Sequence, residues 1–69
     1  MEIFSKRLKE LRESKNLTIV ALAKEINVSD AAISRWENQL RIPNIVDLRK
    51  IAEFFNVSAD YLIGLQDLI

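Results

Sequence analysis

The stretch Val28-Ser29-Asp30-Ala31-Ala32-Ile33-Ser34-Arg35-Trp36-Glu37-Asn38 constrains this chain more than any other, because helical spacing divides it into two unlike faces. Ile33, Trp36 and Glu37 fall at i, i+3, i+4, while Ala31, Ser34, Arg35 and Asn38 fall at i, i+3, i+4, i+7. The first face is apolar apart from Glu37. The second is small and polar around a single Arg, and Ser29 stands just before the helix in N-cap position. Such a helix buries Ile33 and Trp36 against a core and can lie close against another surface through small side chains and one long cationic fork. A DNA groove is the leading candidate for that surface.

The rest of the composition narrows what else the chain can be. Its 69 residues make one domain, 1–69, near the lower size at which a single core suffices. There is no Cys and no His, which removes a disulfide framework, a thiolate zinc site and the commonest general base and metal ligand. The single Gly64 excludes a Gly-rich phosphate loop. No Ser or Lys stands in a pattern that pairs a nucleophile with a base, so no enzyme, cofactor, metal or small-molecule site is expected. Apolar runs extend only a few residues and the N-terminus lacks a signal-type apolar segment, so the expectation is a soluble cytoplasmic protein off the membrane. Formal net charge is zero, yet residues 1–41 hold eight Lys/Arg against six Asp/Glu, and residues 42–69 hold two against four. The basic surplus belongs to the half that contains the two-faced helix.

Read in order, the chain is all helical. Phe4, Leu8 and Leu11 mark an amphipathic first helix over 3–15, ended by Asn16, with Lys6, Arg7, Lys9 and Lys15 as a solvated face or phosphate contacts. Thr18 caps a second helix whose buried stripe is Leu22, Ala23 and Ile26. Asn27 tolerates positive φ, so Asn27-Val28-Ser29 is a tight turn into the two-faced helix, and the pair forms a helix-turn-helix. Pro43 prevents Ile42 from continuing a helix. Asn44 with Asp47 resembles a capping box ahead of a fourth helix carrying Leu48, Ile51, Ala52 and Phe55. Ser58 caps a short fifth helix burying Tyr61 and Leu62, and Gly64 ends it. Residues 65–69 form an apolar tail that packs on the first helix, makes a dimer contact or leads toward a further domain.

Taken together, Arg7-Leu8-Lys9-Glu10-Leu11-Arg12-Glu13, Leu22-Ala23, Val28-Ser29, Ile33-Ser34-Arg35-Trp36-Glu37-Asn38, Arg41-Ile42-Pro43, Leu48, Ile51-Ala52, Phe55, Val57-Ser58 and Tyr61-Leu62-Ile63-Gly64 resemble the Cro/C1-type helix-turn-helix family, also called lambda-repressor-like or XRE. The resemblance covers roughly residues 4–64. It implies a compact five-helix domain that binds double-stranded DNA sequence-specifically, as a transcriptional regulator, most simply a phage- or plasmid-type repressor. Helix 30–38 would enter the major groove and the second helix would cross the backbone. Carried over by position, Asp30, Ala31, Ser34 and Arg35 form the base-reading set. Thr18, Ile19, Asn38 and Arg41 form the phosphate set. Two-fold homodimers would give such a small reader useful specificity. Arg12 and Glu37 are implied as a semi-buried ion pair, and Trp36 as core.

The chain departs from the family pattern at Ile19, where Gln is usual, and at Asn38-Gln39-Leu40, where Asn-Gly-Lys is usual. Ile19, Val20 and Leu40 are thereby expected to form an exposed apolar patch. That patch supports an alternative in which the same fold serves as a protein-interaction module or an antitoxin.

Overall fold

Four side chains set where helices begin. Thr18, Ser29, Asn44 and Ser58 are extended, and each accepts a hydrogen bond from the backbone N–H three residues on, at 3.0, 3.0, 2.8 and 3.0 Å. Each cap satisfies one of the orphan donors of a helix N-terminus. Five residues set where helices stop: Asn16, Asn27, Gln39, Asn56 and Gly64 all have positive φ, one after each helix. A computed structural model describes residues 1–67 and places α1 at Glu2–Ser14, α2 at Ile19–Ile26, α3 at Asp30–Glu37, α4 at Ile45–Phe55 and α5 at Ala59–Ile63. Leu68 and Ile69 of the expected tail lie outside the described residues.

Each helix contributes one aliphatic side chain with no solvent exposure: Leu8, Leu22, Ile33, Ile51 and Leu62. Phe4, Trp36 and Phe55 fill the space around them. The helices recur with apolar residues on one face only, so burying that face against the others is the main source of stability for elements this short. α3 packs on both α1 and α2, α1 also packs on α5, and α4 packs on α2 and α5. The two-faced helix is thus supported from two sides, with its remaining face turned outward.

The structure corrects several local expectations. Asp47 donates its N–H to the Asn44 cap but directs its carboxylate toward Lys50 Nζ at 3.8 Å, so the acidic half of a capping box is replaced by an i,i+3 pair. Arg7 is neither a solvated cation nor available to phosphate. Its guanidinium lies 4.2 Å over the Tyr61 ring, donates to the Tyr61 and Gln66 carbonyls, and faces Asp67 at 3.4 Å. The start of the tail is thereby tied to α1. Lys15, also expected to be free, stands 5.6 Å over the Phe54 ring.

Candidate nucleic-acid interface

α3 starts after a turn whose geometry leaves little freedom. Asn27 ends α2 at φ 56°, the Val28 N–H donates to the Ala23 carbonyl at 3.0 Å, and Ser29 caps the next helix. Val28 packs against the core at the angle between the two helices. The junction fixes α3 relative to α2.

A buried ion pair fixes the other end. Arg12 Nε donates to Glu37 Oε2 at 2.7 Å, Nη2 to Oε1 at 3.0 Å, and Nη1 to the Leu17 carbonyl at 2.8 Å. Side-chain exposure is 12% for Arg12 and 6% for Glu37, so the fork works in a poorly hydrated setting where geometry matters. The hydrogen bond that Arg12 donates to Glu37 is the largest cause holding the Arg12 pKa above its ordinary range, with burial opposing it. Ser5 adds a third anchor, its hydroxyl 2.5 Å from the Trp36 carbonyl. Sequence reasoning did not single out Ser5. Its position between Phe4 and Leu8, on the side of α1 that faces the core, was the available signal.

With Ile33, Trp36 and Glu37 turned inward, Asp30, Ala31 and Arg35 are exposed and Ser34 is half-buried. Among the described residues no ion pair engages Arg35. Asp30 accepts the Ala31 N–H of its own helix at 2.9 Å, a favourable place for a carboxylate near a helix N-terminus. Asn38 follows α3 as its C-cap rather than continuing the helix, and its Nδ2 donates to the Ser34 carbonyl at 2.8 Å. Arg41 is exposed and shares a shallow groove with Arg35, Asn44 and Asp47. Thr18 caps α2, whose first turn presents the exposed Val20 and the half-buried Ile19.

The expected apolar patch of Ile19, Val20 and Leu40 does not form as such. Ile19 packs against the core, which leaves Val20 at 51% and Leu40 at 71% exposure. Four exposed apolar side chains instead fall in one run, Leu40, Ile42, Ile45 and Val46. Among the described residues no group of three or more acidic, His or Cys side chains is placed to hold a metal ion. No helix is long and apolar enough to cross a membrane.

The helix-turn-helix family model HTH_3 matches residues 8–62, which spans α2, the turn and α3 and most of the core. The chain belongs to this helix-turn-helix family. The chain is 42% identical over 66 residues to the HTH-type transcriptional activator BcrR of Enterococcus faecalis, covering 96% of this chain and 32% of that protein. It is 37% identical over 59 residues to the HTH-type transcriptional regulator ImmR of Bacillus subtilis, covering 86% and 46%. The chain therefore spans a third to a half of these relatives. Among solved structures it superposes on the P22 c2 repressor in complex with a synthetic operator at TM-score 0.83 and 31% identity, covering 90% of this chain and 94% of that one. The N-terminal DNA-binding domain of SinR from Bacillus subtilis superposes at 0.84 with 26% identity, covering 91% and 93%. Five helices without strands among the described residues match this lambda-repressor-like fold.

Proposed function

We propose that this helix-turn-helix chain reads double-stranded operator DNA for a transcriptional regulator, inserting α3 into the major groove. The observation that carries the reading is α3 itself: a helix anchored on its inner face by Trp36 and the Arg12–Glu37 fork, with a small outer face around the unpaired Arg35. The structural likeness to a repressor solved on its operator supports the same orientation.

Arg35 is the chief base reader. Its fork can donate to guanine O6 and N7 together. Ala31 and Ser34 are short enough to admit the base edges, and Ala31 offers a methyl to thymine. Asp30, held against its own helix N-terminus, accepts from cytosine N4 where it reaches a base. Arg41 neutralises a phosphate, Thr18 and the N–H groups at Ile19 hold another at the start of α2, and the exposed Asn38 side chain adds a polar contact to the backbone from the end of α3. The work is binding and not catalysis, in the cytoplasm with the DNA. Occupying an operator needs only this surface, so repression by exclusion is the action that the domain can perform alone. A two-fold homodimer doubles the few base pairs that one α3 can cover.

Selection from a randomised duplex library tests the reading. The expected result is an enriched motif containing a G·C pair whose preference relaxes in Arg35→Ala, with a loss of about 1–3 kcal/mol of discrimination at that pair. A pool that yields no enriched sequence, or a motif unchanged by Arg35→Ala, rejects it.

A further inference from the structure

Resting on the assignment of Arg35 as base reader, we infer that Ser5 is a positioning residue for DNA specificity: its buried hydroxyl fixes the roll of α3 and so the aim of the Arg35 fork. A helical Ser ordinarily returns its hydrogen to the carbonyl four residues back. Here that carbonyl, of Met1, lies 3.1 Å from Ser5 Oγ and already accepts the Ser5 N–H at 3.2 Å. The Trp36 carbonyl is nearer, at 2.5 Å. A hydroxyl carries one hydrogen, and the shorter contact takes it. Ser5 is 4% exposed, so water does not compete for the bond.

The Trp36 carbonyl needs such a donor. α3 ends at Glu37, and the last carbonyls of a helix have no partner within it. The segment that follows serves two of them at short range, the Asn38 N–H on the Ser34 carbonyl at 3.0 Å and the Leu40 N–H on the Arg35 carbonyl at 2.9 Å. To Trp36 the same segment brings the Gln39 N–H at 3.3 Å, from a residue held at positive φ. The stronger bond comes from α1.

Its consequence is rotational. Ser5 and Arg12 both meet the end of α3, and they stand seven residues apart, about 10 Å along α1. Arg12 grips a carboxylate at the tip of the Glu37 side chain, whose torsions can absorb a roll of the helix beneath it. Ser5 grips the backbone of α3 itself. Trp36 directly follows Arg35, so holding the Trp36 carbonyl holds the angle at which Arg35 leaves the helix. A fork that must meet guanine O6 and N7 together tolerates a misalignment of about 10–20°.

Ser5→Ala removes the hydroxyl and puts a stronger helix former into α1, so the fold should survive. Its affinity is measured on the duplex that the parent protein selects and on the same duplex with the G·C pair read by Arg35 replaced. The ratio of the two affinities should fall several-fold, within the roughly 5–150-fold that one bidentate contact supplies. Ile51→Val, a core change in α4, which packs on α2 and α5, should leave the ratio unchanged. In an Arg35→Ala background Ser5→Ala should alter it no further, because the hydroxyl acts through that fork. A ratio that holds in Ser5→Ala, falls equally in Ile51→Val or falls again in the double variant overturns the inference. Amide exchange tests the anchor without DNA: Ser5→Ala should speed exchange several-fold at Gln39 and Leu40 and leave Leu22, in α2, as it was. Unchanged protection at Gln39 and Leu40 would show that Ser5 does not hold the end of α3. A parent protein that selects no duplex rejects the DNA reading instead, with amide exchange still deciding the anchor.

Discussion

Gln39 is the residue at which the sequence and its backbone conflict. Asn16, Asn27, Asn56 and Gly64 take positive φ after their helices, and all four are residue types that tolerate it. At Asn16, Asn27 and Gly64 the residue type made the helix end legible in advance. Gln39 does the same after α3 at φ 61° with a long side chain that gains nothing there, and nothing local announced it. Gln39→Gly should therefore stabilise the fold, by up to about 1 kcal/mol once the greater freedom of Gly in the unfolded chain is set against the relieved strain. Urea denaturation with the slope unchanged and the midpoint raised is the expected outcome; a lowered midpoint would show that the site is unstrained. Arg7 was illegible for a different reason. Its partners Tyr61, Gln66 and Asp67 lie at the far end of the chain, and spacing within α1 only showed a cation among other cations. Ser29 was legible because an N-cap needs only its own hydroxyl and the N–H three residues on.

α3 is short, and at eight residues it would not be a stable helix in isolation. What makes it a usable reading head is its support: the Ser29 cap at one end, Trp36 beneath, and Arg12 gripping Glu37 at the other end. The apolar stripe of Ile33 and Trp36 could be read from period alone. Pairing of Glu37 with Arg12 could not, and it entered only through the family resemblance, because periodicity places Glu37 on the inner face without saying which cation meets it. Arg12→Met removes one partner and leaves the Glu37 carboxylate and the Leu17 carbonyl buried without their donors, at a cost of about 3–5 kcal/mol. Chemical denaturation should show that loss, while the double variant Arg12→Met, Glu37→Met should recover much of it. A single variant within about 0.5 kcal/mol of the parent would place the pair among weak surface contacts. The pH dependence has a definite sign. Since Arg12 is held above its ordinary pKa, chiefly by the bond to Glu37, its contribution is complete below the ordinary arginine range and is lost only as pH rises through the raised value. Alkaline titration that stops short of that range should leave this part of the stability intact.

For the molecule as a whole, zero net charge sets a limit on how it can hold a polyanion. Ten cationic side chains are present, but Arg7, Arg12, Arg49 and Lys50 each sit beside a carboxylate of the same chain. Beside α3, Arg35 and Arg41 are the exposed cations that share one groove, and the positions after α3 that carry Gly and Lys in the family pattern are Gln39 and Leu40 here. Of the two arginines, Arg35 is committed to a base and Arg41 to a phosphate in the proposed arrangement, while Thr18 and the α2 amides hold phosphate without a full charge. The affinity of such a protein should depend less on counterion release than that of a strongly basic repressor. With one cation per copy, Arg41, set on a phosphate, log K for a paired complex should fall with log salt at a slope of about −2. Arg41→Ala should lower the magnitude of that slope by about 1 per copy and weaken binding uniformly across sequences, whereas Arg35→Ala should alter which sequence is preferred. Titration of the selected duplex over a series of salt concentrations measures both. A slope near −10 in the parent protein would mean that cations elsewhere, among them Lys6, Lys9 and Lys24, reach the duplex and that the contact surface is broader than α3 and its flanks. A slope unchanged in Arg41→Ala would remove Arg41 from the phosphate set.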